Sequence, residues 1–323
     1  MECTKESEEM WNQACFITRL VSSTVRVSET AGNLIKRIMS EGDLKIVNKA
    51  VDGKATDLQT EADRSAQYCI EKSLQAKFNG LTIIGEEDVT SEVPNLETSV
   101  CMDVLKEDSK CSEELRSIKQ EDVVVWVDPL DGTSEFAQAA KSASPLLQQV
   151  TVLIGIAYRG RSIAGVVHQP YYDNGKGRTM WAIIGLGTYG IPLVGANPNK
   201  VVVTTPMVTE ALEALTKQGL ADSVERVGGA GFKVIKCLEG AAAYVFASPG
   251  CKKWDTAAPE AIITAAGGRL TDISGRTLYY GTDAQITNTG GVLATPHWVK
   301  HEEYVSAIPA HVKDCLPEFT SKN

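Results

Sequence analysis

Val123-Val124-Val125-Trp126-Val127-Asp128-Pro129-Leu130-Asp131-Gly132-Thr133 is the stretch that decides how this chain folds and what chemistry it can carry. Its five leading apolar residues, β-branched or aromatic throughout, read as a strand buried on both faces. Asp128 then stands at the C-terminal end of that strand, where Pro129 holds it extended. Asp131 follows after one tight turn. Two carboxylates and the carbonyl between them can then converge on one point, and hard oxygen donors without histidine or cysteine suit Mg²⁺. Gly132 and Thr133 open the next segment, where unpaired backbone amides favour a phosphate. An isolated Asp-x-x-Asp is more often an acidic turn capped by Gly-Thr; the buried strand ahead of this one argues for the site.

Outward from that stretch the pattern is regular. Before it, apolar residues recurring at three and four predict a helix from about Cys15 to Ser40, ended by Gly42, and a second from about Thr60 to Phe78. Leu81 to Ile84 reads as a short strand. Glu86 to Asp122 has no clear period and holds twelve acidic and four basic residues, a local charge of −8. It reads as a solvated insertion with a short helix around Glu113 to Ile118. After the decisive stretch come strands Val150 to Tyr158 and Ser162 to Val167, flanking the hairpin signal Arg159-Gly160-Arg161, and then Thr179 to Ile184. From about Asn199 the rhythm becomes strand–helix alternation. Strands begin at Val201, Ser223, Ala242, Arg269 and Gly291; helices span Val208 to Gln218, Phe232 to Glu239, Thr256 to Ala266 and the region of Trp298 to Ser306. The expected class is α/β: an α+β half with an antiparallel sheet over residues 1–195, carrying the acidic insertion at about 88–122, and an α/β half over 196–323.

Composition limits the function. The 323 residues carry 32 basic and 41 acidic side chains, a net charge of −9. That argues against broad nucleic-acid or anionic-membrane binding, which needs a basic face. No run of 18 apolar residues exists, and Met1 to Met10 has neither a secretory nor a transit-peptide pattern. Ser321-Lys322-Asn323 only approximates a peroxisomal tripeptide. Eight cysteines at irregular spacing, with no Cys-x-x-Cys, read as reduced cytoplasmic thiols, mostly buried small hydrophobes.

Further motifs have weaker individual meaning. Glu86-Glu87-Asp88 follows an apolar strand and Gly85; alone it would be a solvated acidic loop. Trp254-Asp255-Thr256-Ala257-Ala258 lies at a strand–helix junction, where Asp255 fits an N-cap and the two alanines permit close helix approach. Asp63 sits in the first turn of the second helix, where the helix dipole favours an acid. Val227-Gly228-Gly229-Ala230-Gly231 precedes a helix carrying Lys233, which can meet an anion. Gly185-Leu186-Gly187-Thr188-Tyr189-Gly190 matches a dinucleotide fingerprint literally but is followed by Ile191-Pro192 rather than a helix, so it is rejected. His297 and His301, four apart, read as surface residues.

Taken together and in order, Asp63, Glu86-Glu87, Asp128 to Thr133 and Trp254 to Ala258 resemble the lithium-sensitive, Mg²⁺-dependent phosphomonoesterases of the inositol monophosphatase superfamily. The branch acting on 3′(2′),5′-bisphosphate nucleotides matches furthest, through Thr56 to Thr60, Leu81 to Asp88, Val124 to Thr133, Val150 to Tyr158, Arg226 to Gly231 and Tyr244 to Thr256. The resemblance implies a layered αβαβα sugar-phosphatase fold with the site between its halves. It implies two or three Mg²⁺ ions on Glu86, Asp128, the Leu130 carbonyl, Asp131 and Asp255, and hydrolysis by a metal-activated water with Thr133 and Asp63 as catalytic residues. It implies substrate contacts from Gly132, Thr133, Thr205, Gly229, Lys233 and Asp255. The implied reaction removes the 3′-phosphate of adenosine 3′,5′-bisphosphate, in nucleotide metabolism linked to sulfate assimilation. The expected partner is one small phosphorylated substrate, with no nucleic acid or membrane and no protein partner to infer. One departure stands out: nucleotide-using relatives carry Arg-Ser-His after the paired threonines, whereas Thr204-Thr205 is followed here by Pro206-Met207-Val208. That leaves inositol 1,4-bisphosphate or a related inositol phosphate as the alternative substrate.

Overall fold

The computed structural model describes residues 5–49, 58–88, 96–140, 144–205 and 210–317. The readings placed on Met1 to Thr4 (Cys3 among them), Thr56-Asp57, Glu92, Pro206-Met207-Val208 and Ser321-Lys322-Asn323 lie outside them. The helices are α1 (Lys5–Gln13), α2 (Phe16–Glu41), α3 (Glu61–Lys77), α4 (Met102–Lys106), α5 (Glu113–Arg116), α6 (Thr133–Ala139), the single turn α7 (Tyr172–Gly175), α8 (Glu210–Lys217), α9 (Ala230–Leu238), α10 (Lys253–Ala265), α11 (His301–Ala307) and α12 (Ala310–Asp314). Two short strands, β1 (Val47–Asn48) and β2 (Leu58–Gln59), pair ahead of α3. A six-stranded sheet runs in chain order: β3 (Thr82–Gly85), β4 (Val123–Asp131), β5 (Thr151–Tyr158), β6 (Arg161–Gln169), β7 (Arg178–Ile183) and β8 (Gly187–Tyr189). Only its β3–β4 pair is parallel. A five-stranded sheet uses β9 (Val201–Thr204), β10 (Ser223–Arg226), β11 (Ala243–Phe246), β12 (Arg269–Thr271) and β13 (Val292–Thr295) in the order β10-β9-β11-β13-β12.

Period-two alternation along the strands builds the layers. In β4, Val123, Val125 and Val127 join Ile17, Leu20, Ile70 and Leu74 of α2 and α3 in one core. Val124 and Trp126 join Val234 of α9 and Ala257, Ala258 and Ile262 of α10 in a second core, shared with Val203, Tyr244 and Val292 of the other sheet. Val202, Val245 and Leu293 face outward onto α8 and α11 in a third. The result is helix, sheet, helix, sheet, helix, the layered αβαβα order. Strands buried on both faces explain why Val123 to Val127 shows no alternation of its own.

Close approach is carried by small residues. A Cβ on Gly155 would sit 2.4 Å from the Ala257 Cβ, and one on Gly165 would sit 2.7 Å from the Ala258 carbonyl oxygen. The expected role of Ala257 and Ala258 is therefore matched by two glycines on the facing sheet. The Arg159-Gly160 pair has positive φ at both residues (48° and 75°), the two-residue turn that suits hairpin twist, and Tyr158 pairs with Arg161 across it. The glycine-rich 185–190 segment turns β7 back antiparallel into β8, in keeping with its rejection as a dinucleotide motif.

Three expectations need correction. Residues 96–122 are not a purely solvated insertion: Cys101, Val104, Leu105, Cys111 and Ile118 are buried, with Val104 and Ile118 in the α2–α3 core. Its sparse apolar residues form one face of short helices too brief to show a period, while the acids pair locally, Lys106 with Asp103, Lys110 with Glu107 and Arg116 with Asp108. Secondly, the strand does not end at Val127. β4 continues to Asp131, pairing Asp128 with Leu153 and Asp131 with Thr151, so a bulge replaces the expected tight turn. Thirdly, His301 is buried, between the hydroxyls of Thr271 (2.8 Å) and Thr295 (2.9 Å), while His297 is exposed.

Candidate active site

The bulge that ends β4 aims its residues into a cavity of about 250 Å³ between the two sheets. Glu86, Asp128, Leu130, Asp131, Gly132, Thr133, Thr205, Gly229, Lys233 and Asp255 all line it, as do Tyr244, Phe246 and Cys251. Glu86 arrives from the end of β3, its amide donating to the Val127 carbonyl at 3.0 Å. Asp255 arrives from α10. It is the third residue of that helix, not its N-cap, and it accepts the Lys252 amide at 2.6 Å. Helix starts and strand ends meet here because both leave backbone groups and polar side chains at an element's edge.

Asp63 lies behind the wall rather than in it. It is fully buried at the start of α3, where Oδ2 accepts the Thr60 amide at 2.7 Å and the Thr60 hydroxyl at 2.5 Å. Its other oxygen, Oδ1, lies 3.1 Å from Thr133 Oγ1, which is also 3.0 Å from the Leu130 carbonyl. Thr133 has one proton for two acceptors. When that proton points to Asp63, a lone pair of Oγ1 is left for another donor. Glu87, by contrast, turns away and bonds Lys49 Nζ (2.7 Å) and Gln59.

Asp131 is held from several sides. Thr151 Oγ1 donates to Oδ2 at 2.7 Å, the Gly231 amide to Oδ2 at 2.9 Å and the Ala230 amide to Oδ1 at 2.8 Å. The α9 N-terminus is thus engaged by a carboxylate of the protein. Gly228 similarly donates to Gln149 Oε1 at 2.6 Å. At the start of α6, Gly132, at φ 91°, is the N-cap and lines the cavity with Thr133, and first-turn amides have no partner within their helix. Lys233 is 2% exposed, and its Nζ donates to the Gly229 carbonyl at 2.8 Å. Thr205 Oγ1 is buried without a partner.

The electrostatics are those of carboxyl groups that cannot all be charged. Burial and then Asp255 push Glu86 up to about 8. Burial, Glu86, Asp131 and Asp255 drive Asp128 well above the carboxylate range. Burial raises Asp131 too, against the hydrogen bonds it accepts, and raises Asp255 to about 6. Lys233 is lowered by burial and raised by Asp131 and Glu135, with the lowering dominant. All four carboxylates line the one cavity, and Glu86 and Asp255 are among the groups that raise Asp128. A set of desolvated oxygen donors whose mutual repulsion a cation would relieve fits hard divalent ions such as Mg²⁺.

Tyr244, Phe246 and Cys251 were not anticipated as lining residues. The first two alternate on β11 and so share a face, a signal present in the sequence; that this face meets the cavity depends on how the second sheet stacks. The thiol of Cys251 is pushed well up by burial and Asp255, which keeps it protonated.

Comparison with known proteins shows which family the chain belongs to. The human protein named 3′(2′),5′-bisphosphate nucleotidase 1 is 47% identical over 316 residues, covering 93% of this chain and 97% of its own. The Dictyostelium discoideum protein of the same name is 33% identical, covering 90% and 96%. Among solved structures, the Thermotoga maritima IMPase shares the fold with a TM-score of 0.63 at 20% identity, over 91% of this chain and 97% of that one. The inositol monophosphatase family model matches residues 18–313, and the chain belongs to that family.

Proposed function

We propose that this protein is a Mg²⁺-dependent phosphomonoesterase that hydrolyses the 3′-phosphate of adenosine 3′,5′-bisphosphate, releasing AMP and phosphate. The observation that carries the reading is the single cavity onto which Glu86, Asp128, Asp131, Thr133 and Asp255 open, in a chain 47% identical to a bisphosphate nucleotidase. Glu86, Asp128, the Leu130 carbonyl, Asp131 and Asp255 would hold two or three Mg²⁺ ions, which when bound neutralise phosphate oxygens and supply an activated water.

The remaining work belongs to side chains. Asp63 fixes the Thr133 hydroxyl at 3.1 Å, leaving Oγ1 able to accept a proton from a water in the cavity and pass its own to Asp63. The first-turn amides of α6 favour the negative phosphate. Lys233 offsets the acidic wall, and Thr205, Gly229 and Asp255, which line the same cavity, would contact the rest of the substrate. The inhibition by lithium, the cytoplasmic location and the link to sulfate assimilation belong to the same proposal; among the described residues no helix is long and apolar enough to cross a membrane.

A second reading has one observation behind it. Pro206-Met207-Val208 lacks the basic, hydroxyl and imidazole groups found after the threonine pair in nucleotide-using relatives. On that ground the substrate would be inositol 1,4-bisphosphate or a related inositol phosphate, with the same chemistry. Phosphate release from the bisphosphate nucleotide, inositol 1,4-bisphosphate and fructose 1,6-bisphosphate, with and without Mg²⁺ and lithium, separates the two. Fastest Mg²⁺-dependent turnover of the nucleotide is expected. Its absence beside turnover of the inositol phosphate would establish the second reading.

A further inference from the structure

Away from the cavity, two cysteines meet at the start of the longest helix. Cys15 is the N-cap of α2, and Cys111 ends the turn after α4. The Cys15 Sγ, the Cys111 Sγ and an Asp108 oxygen all lie within 4.8 Å of one another. Thr18 Oγ1 bridges the two sulfurs, 3.2 Å from Cys15 and 3.3 Å from Cys111. Cys15 is half-buried and so open to a small reagent, whereas Cys111 is only 8% exposed. None of these residues lines the active-site cavity.

We infer that Cys15 and Cys111 form a thiol-exchange site, in which Cys15 takes up a low-molecular-weight disulfide and Cys111 resolves it into an intramolecular Cys15–Cys111 disulfide. The environment favours this division of labour. The Cys111 thiol and the Thr18 hydroxyl stabilise the Cys15 thiolate at a helix N-terminus, bringing its pKa down to about 6 despite burial. Cys111 is held protonated, first by its bond to Cys15 and then by burial. A divalent cation is the poorer fit. Asp108 already accepts the Cys15 amide at 2.9 Å and Arg116 Nη2 at 2.9 Å, so only two uncommitted ligands remain, beside a guanidinium.

The exchange balances in two steps. The Cys15 thiolate attacks one sulfur of RS–SR; that bond breaks, and RS⁻ leaves to take a proton from water. With the charge on Cys15 gone, Cys111 loses its proton to solvent more readily, and its sulfur attacks Cys15 Sγ and expels the second RS⁻. Two protein thiols are oxidised to one disulfide, and one RS–SR is reduced to two RSH.

The test uses the full reduced chain, incubated with oxidised glutathione at pH 7, alkylated and mapped as unreduced peptides by mass spectrometry. The expected product joins the Cys15 and Cys111 peptides, lighter by two hydrogens than their sum, with no glutathione retained on Cys15. Cys111→Ser should instead keep glutathione on Cys15, and Cys15→Ser should lose the cross-link. Stable glutathione on Cys15 of the unaltered protein, or modification confined to the exposed Cys315, overturns the inference. The unaltered protein decides the matter even if a variant does not fold.

Discussion

Thr133 shows how much rests on one hydroxyl. Its single proton is shared between Asp63 Oδ1 and the Leu130 carbonyl, and the proposed reaction uses the first arrangement. Thr133→Ala should therefore lower kcat for phosphate release by about 10²-fold or more with little change in KM, while Thr133→Ser stays within about tenfold of the parent. Steady-state kinetics on the bisphosphate nucleotide check both. Asp131 has a second task, because it accepts the Ala230 and Gly231 amides and the Thr151 hydroxyl. Asp131→Asn sets an NH₂ against those donors. Besides abolishing phosphate release, it should cost about 1–3 kcal/mol in urea unfolding; retained stability together with full activity would contradict both roles.

At the scale of elements, the contact of α10 with the six-stranded sheet positions Asp255. Gly155 and Gly165 admit Ala257 and Ala258 to contact distances that a Cβ cannot share, and Ser162 Oγ donates to the Ala257 carbonyl at 2.7 Å. Gly155→Ala and Gly165→Ala are each expected to destabilise by about 1–3 kcal/mol through overpacking. They should also lower activity, since the shift of α10 moves Asp255. Urea midpoints and phosphate release measured on the same preparations link the two effects. The bulge between Asp128 and Asp131 belongs to this scale as well: it keeps Asp131 paired with Thr151 while re-aiming the carboxylates.

For the whole molecule, two buried histidines away from the cavity set an acid limit. Thr179 gives its proton to Glu29 Oε1 (3.0 Å), so His168 must donate from Nδ1 (2.9 Å), leaving Nε2 buried and unpartnered near Gly32. Burial, with Lys36 nearby, lowers His168 from 6.5 to about 4, and burial with Arg269 does the same to His301. Between those values the unfolded chain binds a proton that the folded chain refuses. Stability from these groups is full above pH 6.5 and is lost as pH falls toward 4. Each histidine should remove on the order of 2 kcal/mol between pH 7 and pH 5. Glu260 has the opposite sign: burial raises it from 4.5 to about 7, so its contribution is present below 4.5 and lost as pH rises through 7. Glu86, Asp63 and Asp255, also raised by burial, share the sign of Glu260, so the histidine contribution is read as a difference: between pH 7 and pH 5 the urea midpoint of the His168→Gln/His301→Gln double variant should shift upward relative to that of the parent.

The main helices and strands and the α/β class were legible in the chain through local rules: two-sided burial of Val123 to Val127, helical periodicity and hairpin glycines. The αβαβα layering and the roles of Asp63, Glu86 and Asp255 came only from the resemblance of the motifs taken in order, since each of those acids alone reads as a cap or a solvated side chain. What the sequence could not decide was anything set by one element reaching another across the fold. Asp63 meets Thr133 across 70 positions, and Asp131 takes the amides of α9 from about 100 positions away. His301 is buried because Thr271 and Thr295 wait on neighbouring strands. The acidic 96–122 segment folds onto α2 because its few apolar residues find a core that no local period announces. Local propensity is written in neighbouring residues; partnership between distant polar groups exists only once packing has removed the water between them.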